Sequence, residues 1–351
     1  MHRQVLGLGP DTSHGVPPVS SEPTLDIARG QPTDAQPRTR LVAVHQHNPQ
    51  ALHRELVTGL SAEPATLSPK FLYDRLGSLL FEAITELPEY YPTRTEARIF
   101  ADHALEMAAA IGPIGTLIDL GAGNCAKARM VIPPLRPSRY VAVDISVDFL
   151  EPAIAQVQRE HPAIEVCGVG LDFSSTVQLP PGLLQGRAVF FYPGSSIGNF
   201  TPASAQGFLA GVRRQATGGG LLIGIDLVKP IEQLEAAYDD ALGVTAAFNL
   251  NLLRHVNRLI GSNFDPRDWR HVSFFNRDHS RIEMHLEARR AVVVQWPENE
   301  RRFEAGDRMH TENSYKYTVE SFAELLHDSG YARTRCWVDA NGWFAVFWAQ
   351  A

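Results

Sequence analysis

The chain has 351 residues, of which 44% are hydrophobic and 20% are charged, the composition of a globular protein with a sizeable core. A formal net charge of -7 argues against a nucleic-acid partner. Three cysteines without metal-ligand spacing suit a reducing compartment, and no apolar run reaches the about 20 residues that a membrane-spanning helix needs. We therefore expect a cytoplasmic protein with no metal, nucleic-acid or membrane partner. We also expect a monomer, although the sequence carries no signal for the oligomeric state.

The first third of the chain is predicted to be a tail followed by helices. Residues 1–40 hold six prolines and little periodic apolar content, which predicts a disordered tail. From residue 41 to about residue 111 the pattern is largely helical, with interruptions at Pro69 and at residues 88–92. We assign these helices, with the strands that follow, to one core spanning residues 41–228.

Short apolar segments alternate with helical ones over the next hundred residues. Their consecutive β-branched and apolar residues indicate strands buried on both faces, so the alternation predicts a parallel, doubly wound sheet. The predicted strands are residues 116–120, 140–144, 164–167, 188–192 and 221–226.

The turns after the first two strands indicate a nucleoside-bearing cofactor. The first strand ends at Gly121-Ala122-Gly123, where glycine allows the backbone to approach a ligand closely. The second strand ends at Asp144, a carboxylate placed to accept hydrogen bonds from ribose hydroxyls. Residues 121–126 also satisfy the relaxed dinucleotide fingerprint. By itself, this pattern does not separate NAD from S-adenosylmethionine.

The remainder of the chain leaves the alternating pattern and then returns to it. Residues 229–316 contain an amphipathic stretch at 231–260 and strand-like runs at 281–287 and 290–296, which predicts an inserted α+β subdomain. Residues 317–351 predict a helix capped by Thr318, then strands 334–338 and 343–348 around Asn341-Gly342. A Rossmann-like doubly wound sheet with a terminal antiparallel hairpin is typical of class I S-adenosylmethionine-dependent methyltransferases, so it favours methyl transfer.

Ordered sequence blocks between residues 50 and 351 carry a family resemblance. The blocks are Phe71–Asp74, Gly77–Phe81, Leu87–Glu96, Gly194–Asn199, Asp226–Lys229, Ala237–Asp240, Gly243–Asn249, Arg281–Met284 and Thr311–Ser314. Together they resemble the histidine N-alpha-methyltransferase family, whose members trimethylate free L-histidine to hercynine (histidine betaine), the first step of ergothioneine biosynthesis. The resemblance implies this activity and an amino-acid-binding role for the inserted subdomain.

The resemblance also implies how the cofactor is bound. The glycine turn lies under the methionine portion, and a lysine ammonium meets the cofactor carboxylate. An aspartate after the second strand binds the ribose, and an aspartate and the next backbone N–H after the third strand bind the adenine. A glycine after the fourth strand lies beside the transferred methyl group. The implied residues are Gly121, Gly123, Lys127, Asp144, Asp172, Phe173 and Gly194.

The implied substrate pocket holds both ends of histidine. Asn199 and Tyr238 would hold the carboxylate, and Tyr73 would lie near the amine. Glu312, Ser314, Tyr90 and Met284 would surround the imidazole, because its N–H needs an acceptor, its other nitrogen a donor, and its faces an apolar wall. The cofactor methyl group is already activated, so we expect no dedicated catalytic base.

Three alternatives remain open at this point. A related enzyme of the same fold could act on another aromatic amino acid or a histidine derivative. The relaxed fingerprint at residues 121–126 also allows an NAD-dependent oxidoreductase, although the terminal hairpin argues against it. A non-catalytic cofactor-binding regulator is the third alternative, opposed by the full set of substrate-pocket residues.

Overall fold

The structure is a computed structural model and describes residues 40–43, 49–173, 177–180, 182–216, 218–297 and 299–351. The tail predicted for residues 1–40 lies outside the described residues, apart from Arg40. Within the described part of the chain, every helix is too short or too polar to cross a bilayer.

The strands and helices are numbered in chain order. The strands are β1 (Arg40–Ala43), β2 (Ala65–Thr66), β3 (Thr116–Leu120), β4 (Arg139–Asp144), β5 (Glu165–Gly170), β6 (Ala188–Tyr192), β7 (Gly220–Asp226), β8 (Trp269–Asn276), β9 (Arg281–Ala288), β10 (Val292–Trp296), β11 (Asn299–Phe303), β12 (Arg308–Tyr315), β13 (Arg333–Val338) and β14 (Phe344–Gln350). The helices are α1 (Pro49–Ser61), α2 (Arg75–Thr85), α3 (Tyr91–Ile111), α4 (Ala126–Leu135), α5 (Val147–Glu160), α6 (Pro202–Gln215), α7 (Ile231–Ala236), α8 (Val244–Ile260) and α9 (Val319–Asp328).

An eight-stranded sheet forms the centre of the fold, in the order β1-β5-β4-β3-β6-β7-β14-β13. Its first six strands are parallel, whereas β14 runs antiparallel to β7 and pairs with β13 as a hairpin. The order reverses at β3, so the ligand crevice is expected at the carboxyl ends of β3 and its neighbours. This is the predicted class I methyltransferase topology, including the terminal hairpin.

The first sheet strand was not predicted. The helical pattern expected from residue 41 is wrong at its start, because residues 40–43 form β1 and pair in parallel with β5. A strand of four residues is too short for its periodicity to be distinguished from one turn of helix. The neighbouring β5 supplies the hydrogen-bond partners that decide between them.

A second sheet has the order β2-β12-β9-β8, beside the hairpin β10-β11. The runs predicted at 281–287 and 290–296 correspond to β9 and β10, but β2, β8, β11 and β12 were missed. The inner residues of β12 include the buried polar residues Thr311, Glu312 and Ser314, so its sequence lacks the apolar alternation that identifies a strand.

Helices from the N-terminal region share a hydrophobic core with this second sheet. Leu56 and Leu60 of α1 belong to the same buried cluster as Leu252 of α8 and Met284 of β9. This packing unites residues predicted to lie in different domains. The boundaries 41–228, 229–316 and 317–351 themselves stay a prediction.

The amphipathic stretch at 231–260 is divided into α7 and α8. Asp240 lies in the intervening turn, and its carboxylate accepts from the N–H groups of Val244 at 3.0 Å and Thr245 at 2.8 Å, at the start of α8. These bonds satisfy N–H groups that lack partners within the helix. Tyr238 lies in the turn between the two helices, and this position lets its ring reach the site described next.

Candidate functional site

The turn after β3 is a backbone cradle at the carboxyl edge of the central sheet. Gly121 and Gly123 have φ of 71° and 52°, which side chains rarely adopt. A Cβ placed on Gly123 would meet no atom within 4 Å, so this backbone faces open space. Asp144 at the end of β4 accepts from the Gly123 N–H at 2.9 Å and from the Ser146 N–H at 2.8 Å. Burial raises the pKa of the Asp144 carboxyl, against the effect of these backbone N–H groups.

Lys127 and Gly194 meet at a buried carboxylate that the sequence analysis missed. The Lys127 Nζ lies 2.7 Å from Glu96 Oε2, and the Gly194 N–H donates to Glu96 Oε1 at 2.8 Å. The Glu96 side chain is fully buried, on α3. Glu96 therefore connects two predicted cofactor residues: Lys127, in the helix that follows β3, and Gly194, in the loop that follows β6.

The adenine side of the predicted site lies after β5. Asp172 accepts from the Lys70 Nζ at 2.8 Å, and Lys70 also contacts Glu55 at 2.7 Å. Phe173 packs edge-on against Tyr192, with ring centroids 5.9 Å apart, and its ring tip is 3.7 Å from where a Cβ on Gly121 would stand. The structure thus brings Phe173 to the glycine turn, and its predicted contact with the cofactor stays a prediction.

An aromatic cavity lies between the second sheet and the turn that separates α7 from α8. The rings of Tyr73 and Phe81 are 5.6 Å apart, those of Phe81 and Tyr90 6.1 Å, and those of Tyr90 and Tyr238 6.3 Å. Burial raises the pKa of each of the three tyrosines, so their hydroxyls stay protonated at neutral pH. The lining residues are Tyr73, Phe81, Ile84, Tyr90, Ala237, Tyr238, Thr245, Phe248, Met284 and Glu312.

Glu312 is the one acid in this lining. Burial raises the pKa of its carboxyl from 4.5 to about 7, opposed by the Lys316 ammonium. Across the described ranges of the chain, no side chain or backbone N–H donates a hydrogen bond to it. A buried carboxylate without a donor is unfavourable, so the cavity is complementary to a ligand that brings an N–H or O–H group.

Next to Glu312, hydroxyls connect to a buried charge cluster. The Tyr238 hydroxyl donates to Ser314 Oγ at 2.7 Å, and the Lys316 Nζ donates to the same oxygen at 2.7 Å. Lys316 also lies 2.8 Å from Asp226 Oδ2, and the second ammonium on Asp226 is that of Lys229 at 2.6 Å. Although burial alone would raise it, these two ammoniums hold the pKa of Asp226 below its ordinary value.

Asn199 ends the 3-10 helix Ser196–Asn199, which packs on β12. A Cβ on Gly198 would stand 3.0 Å from the Tyr315 carbonyl oxygen, so a side chain here would require the β12 backbone to shift by a few tenths of an ångström. Asn199 does not line the aromatic cavity, and its side chain makes no hydrogen bond to any described residue. Its predicted contact with substrate stays a prediction.

A family model for S-adenosylmethionine-dependent, histidine-specific methyltransferases matches residues 52–351. The chain belongs to this family.

Individual relatives agree with that assignment. A histidine N-alpha-methyltransferase from Mycolicibacterium smegmatis is 42% identical over 304 residues, which cover 85% of this chain and 94% of that protein. One from Mycobacterium tuberculosis is 40% identical over 306 residues, covering 84% and 94%. The ergothioneine biosynthesis protein 1 of Neurospora crassa is 31% identical over 288 residues, covering 79% of this chain and 32% of that protein.

Family membership confirms the predictions of a methyltransferase, of S-adenosylmethionine as its cofactor and of a histidine-directed activity. It also decides between the two cofactors that the glycine turn allowed, against NAD. The roles of individual residues are not decided by membership and stay predictions.

The structure gathers most of the predicted substrate residues of this methyltransferase. Tyr73, Tyr90, Tyr238, Met284 and Glu312 line one cavity, and Ser314 is bonded to one of them. The sequence analysis missed Glu96, Phe248 and Lys316. A signal for Lys316 was available, because residues 312, 314 and 316 alternate along one strand and its continuation.

The raised pKa of Glu312 predicts a pH-dependent stability. Because the folded-state pKa of about 7 exceeds 4.5, the stabilising contribution of the protonated form is complete below pH 4.5. It is lost as the pH rises through about 7, by on the order of 3 kcal/mol. We expect the wild type to lose about this much unfolding free energy relative to Glu312→Gln between pH 5 and pH 8, measured by urea unfolding. Parallel pH profiles for the two proteins would contradict the assignment.

Proposed function

We propose that the enzyme transfers three methyl groups in succession from S-adenosylmethionine to the α-nitrogen of free L-histidine, giving hercynine in ergothioneine biosynthesis. The observation that supports this most directly is the buried Glu312 carboxylate, which has no donor among the described residues and lines an aromatic cavity. The flat imidazole ring of histidine carries an N–H group that can donate a hydrogen bond to this carboxylate within the aromatic cavity. The names of the relatives with 42% and 40% identity point to the same substrate and the same nitrogen.

The residues around the glycine turn fit the cofactor. The positive-φ backbone at Gly121 and Gly123 leaves room for it, Asp144 would accept from the ribose hydroxyls, and Asp172 and Phe173 would hold the adenine. Lys127 and Gly194, joined through Glu96, would lie along its methionine portion. When bound, S-adenosylmethionine supplies a methyl group activated by a sulfonium. The protein then needs to hold and orient the partners rather than activate either.

In the substrate cavity, the protein would bind the neutral α-amine, the carboxylate and the imidazole ring of histidine. The protonated phenols of Tyr73 and Tyr238 offer hydrogen-bond donors without adding a positive charge near the sulfonium. Asn199 and Tyr238 would hold the carboxylate, although the Tyr238 hydroxyl donates to Ser314 here and must turn for that contact. Glu312, Ser314, Tyr90 and Met284 would surround the imidazole. The amine loses its proton to water, because none of these groups is placed as a strong base.

The test is an incubation of the purified protein with S-adenosylmethionine and L-histidine, followed by mass spectrometry. We expect one, two and then three methyl groups on histidine, all on the α-nitrogen by fragmentation. Tyrosine and tryptophan serve as matched aromatic substrates and should gain none at comparable enzyme concentration. Methylation of these amino acids in preference to histidine, or methylation of the histidine ring, would contradict the proposal.

We also propose that the enzyme is a monomer of the cytoplasm. The three cysteines Cys125, Cys167 and Cys336 are free, which suits a reducing compartment. Light scattering on the purified protein tests the oligomeric state.

A further inference from the structure

Glu96 is a buried carboxylate on α3 that reaches the carboxyl edge of the central sheet. Its side chain has no exposed surface, and both of its oxygens face the Gly194 N–H, at 2.8 Å for Oε1 and 3.1 Å for Oε2. The fold leaves space for it, because a Cβ on Gly224 of β7 would stand 1.9 Å from Glu96 Oε1. A side chain at that position of the strand would therefore displace the carboxylate.

The Glu96 carboxylate holds the Lys127 ammonium between two neighbouring loops. Lys127 lies in the first turn of α4, which follows β3, and Gly194 follows β6, the strand that pairs with β3. The Lys127 Nζ lies 2.7 Å from Glu96 Oε2 and would be 2.7 Å from a Cβ on Gly194. The ammonium therefore lies over the Gly194 backbone, at the carboxyl ends of two adjacent strands, where open α/β sheets bind their ligands.

Lys127 keeps hydrogens for a ligand in this position. An ammonium has three hydrogens, and Glu96 is the one polar partner that the Lys127 Nζ has within the described part of the chain. The Lys127 side chain is 30% exposed, so a ligand can reach the remaining hydrogens. A ligand carboxylate can thus bind Lys127 without breaking its ion pair with Glu96. A lysine side chain otherwise samples many rotamers, so holding it in place beforehand reduces the entropy lost on binding.

We propose that Glu96 is a positioning residue that holds the Lys127 ammonium in place to bind the carboxylate of S-adenosylmethionine, an inference that rests on the proposed function. Because its oxygens are occupied by Gly194 and Lys127, Glu96 acts through these residues and does not contact the cofactor. Without its charge, the Lys127 side chain is free to turn toward solvent. Only ligands that carry the amino-acid portion of the cofactor should therefore depend on Glu96.

The experiment measures, by calorimetry, the dissociation constants of two ligands, S-adenosylhomocysteine and methylthioadenosine. Both carry the adenosine and the thioether sulfur, but only the first carries a carboxylate. Glu96→Gln keeps the size of the side chain and an oxygen for the Gly194 N–H. We expect this variant to bind S-adenosylhomocysteine about ten-fold more weakly and methylthioadenosine as the wild type does.

A double-variant cycle shows whether Glu96 acts through Lys127. Lys127→Met should also weaken the binding of S-adenosylhomocysteine and leave that of methylthioadenosine unchanged. The double variant should lose no more affinity than Lys127→Met alone, because both substitutions remove the same interaction.

The matched control is Glu55→Gln, which removes the same charge from a lysine at the other end of the predicted cofactor site. Glu55 Oε2 lies 2.7 Å from the Lys70 Nζ, and Lys70 contacts Asp172 on the predicted adenine side. Both ligands carry adenine, so this control should leave the ratio of the two affinities unchanged.

Two results would overturn the inference alone. Equal weakening of both ligands in Glu96→Gln would show that Glu96 supports the fold of the loops, and an additive loss in the double variant would show that it does not act through Lys127. If circular dichroism shows that Glu96→Gln is unfolded, Glu96→Asp is judged by the same two criteria, because its shorter side chain withdraws the carboxylate from Lys127.

The proposed function is tested separately by the same set of proteins. If the wild type methylates histidine and either of those results is found, only this inference fails. An unchanged ratio of affinities in Lys127→Met would overturn the proposed position of the cofactor carboxylate, and this inference with it.

Discussion

Glu312→Ala is expected to lower kcat/KM for histidine about 100-fold while the affinity for S-adenosylhomocysteine, measured by calorimetry, stays the same. The variant removes the acceptor that lines the aromatic cavity, and the buried imidazole N–H is then left without a partner. The cofactor turn at Gly121–Gly123 belongs to the other sheet, so its geometry does not depend on this carboxylate.

Two variants of the same strand serve as controls for this prediction. Asn313 follows Glu312 on β12, and its side-chain oxygen contacts the His310 ring at 2.9 Å, so Asn313→Ala tests general damage to the strand. It should keep most of the activity. Glu312→Gln retains an oxygen that can accept from the ring N–H and should fall between the wild type and Glu312→Ala. Equal loss of activity and cofactor affinity in Glu312→Ala would show that Glu312 supports the fold rather than the substrate.

Asp226→Asn is expected to lower the free energy of unfolding by about 3–5 kcal/mol, because it leaves buried ammoniums without their counterion. The Lys229 and Lys316 side chains are 1% and 0% exposed, so water cannot replace the carboxylate. The Tyr91 hydroxyl, which donates to Asp226 at 2.7 Å, would lose its charged acceptor as well. Urea unfolding of the wild type and the variant at neutral pH measures the difference.

The matched control for Asp226→Asn is Asp265→Asn. Asp265 pairs with Arg267 at 2.6 Å on the surface, where the Arg267 side chain is 89% exposed, so that pair adds little to stability. We expect the control to unfold like the wild type. A small effect in Asp226→Asn would mean that one of the two ammoniums loses its proton in the folded protein. Lys229 is the candidate for that loss, because burial lowers its pKa to about 8.

The central sheet was predictable because its strands are apolar on consecutive residues. The strands at 116–120 and 188–192 have the predicted bounds, and the terminal hairpin forms around Asn341-Gly342. Burial on both faces of a parallel sheet leaves a pattern that a single sequence shows directly. The strands β1, β8 and β12 leave no such pattern. Strand β1 is short, β8 exposes a polar face, and β12 buries polar side chains.

The predicted site residues came mainly from sequence blocks that resemble the histidine N-alpha-methyltransferases. The residue type at each position could then be explained by the ligand group that it would bind. Glu312 illustrates the limit of that approach, because a glutamate in a strand is ordinarily a surface residue. Its role depends on burial, on the absence of a donor among the described residues and on the neighbouring Lys316. Glu96 is similar, since nothing in its own helix indicates that it meets Lys127 and Gly194.

The sequence alone determined the central strands β3 to β7, the terminal hairpin, and the glycine turn with its acid after the second strand. Short-range patterns determine these features, because a turn, a cap or a buried strand depends on residues close together in the chain. Only the tertiary structure decided which of these residues meet. The Lys316 ammonium, the Tyr238 hydroxyl and the Asp226 carboxylate come from distant segments, and their hydrogen bonds form only when the two sheets and the turn before α8 are packed together.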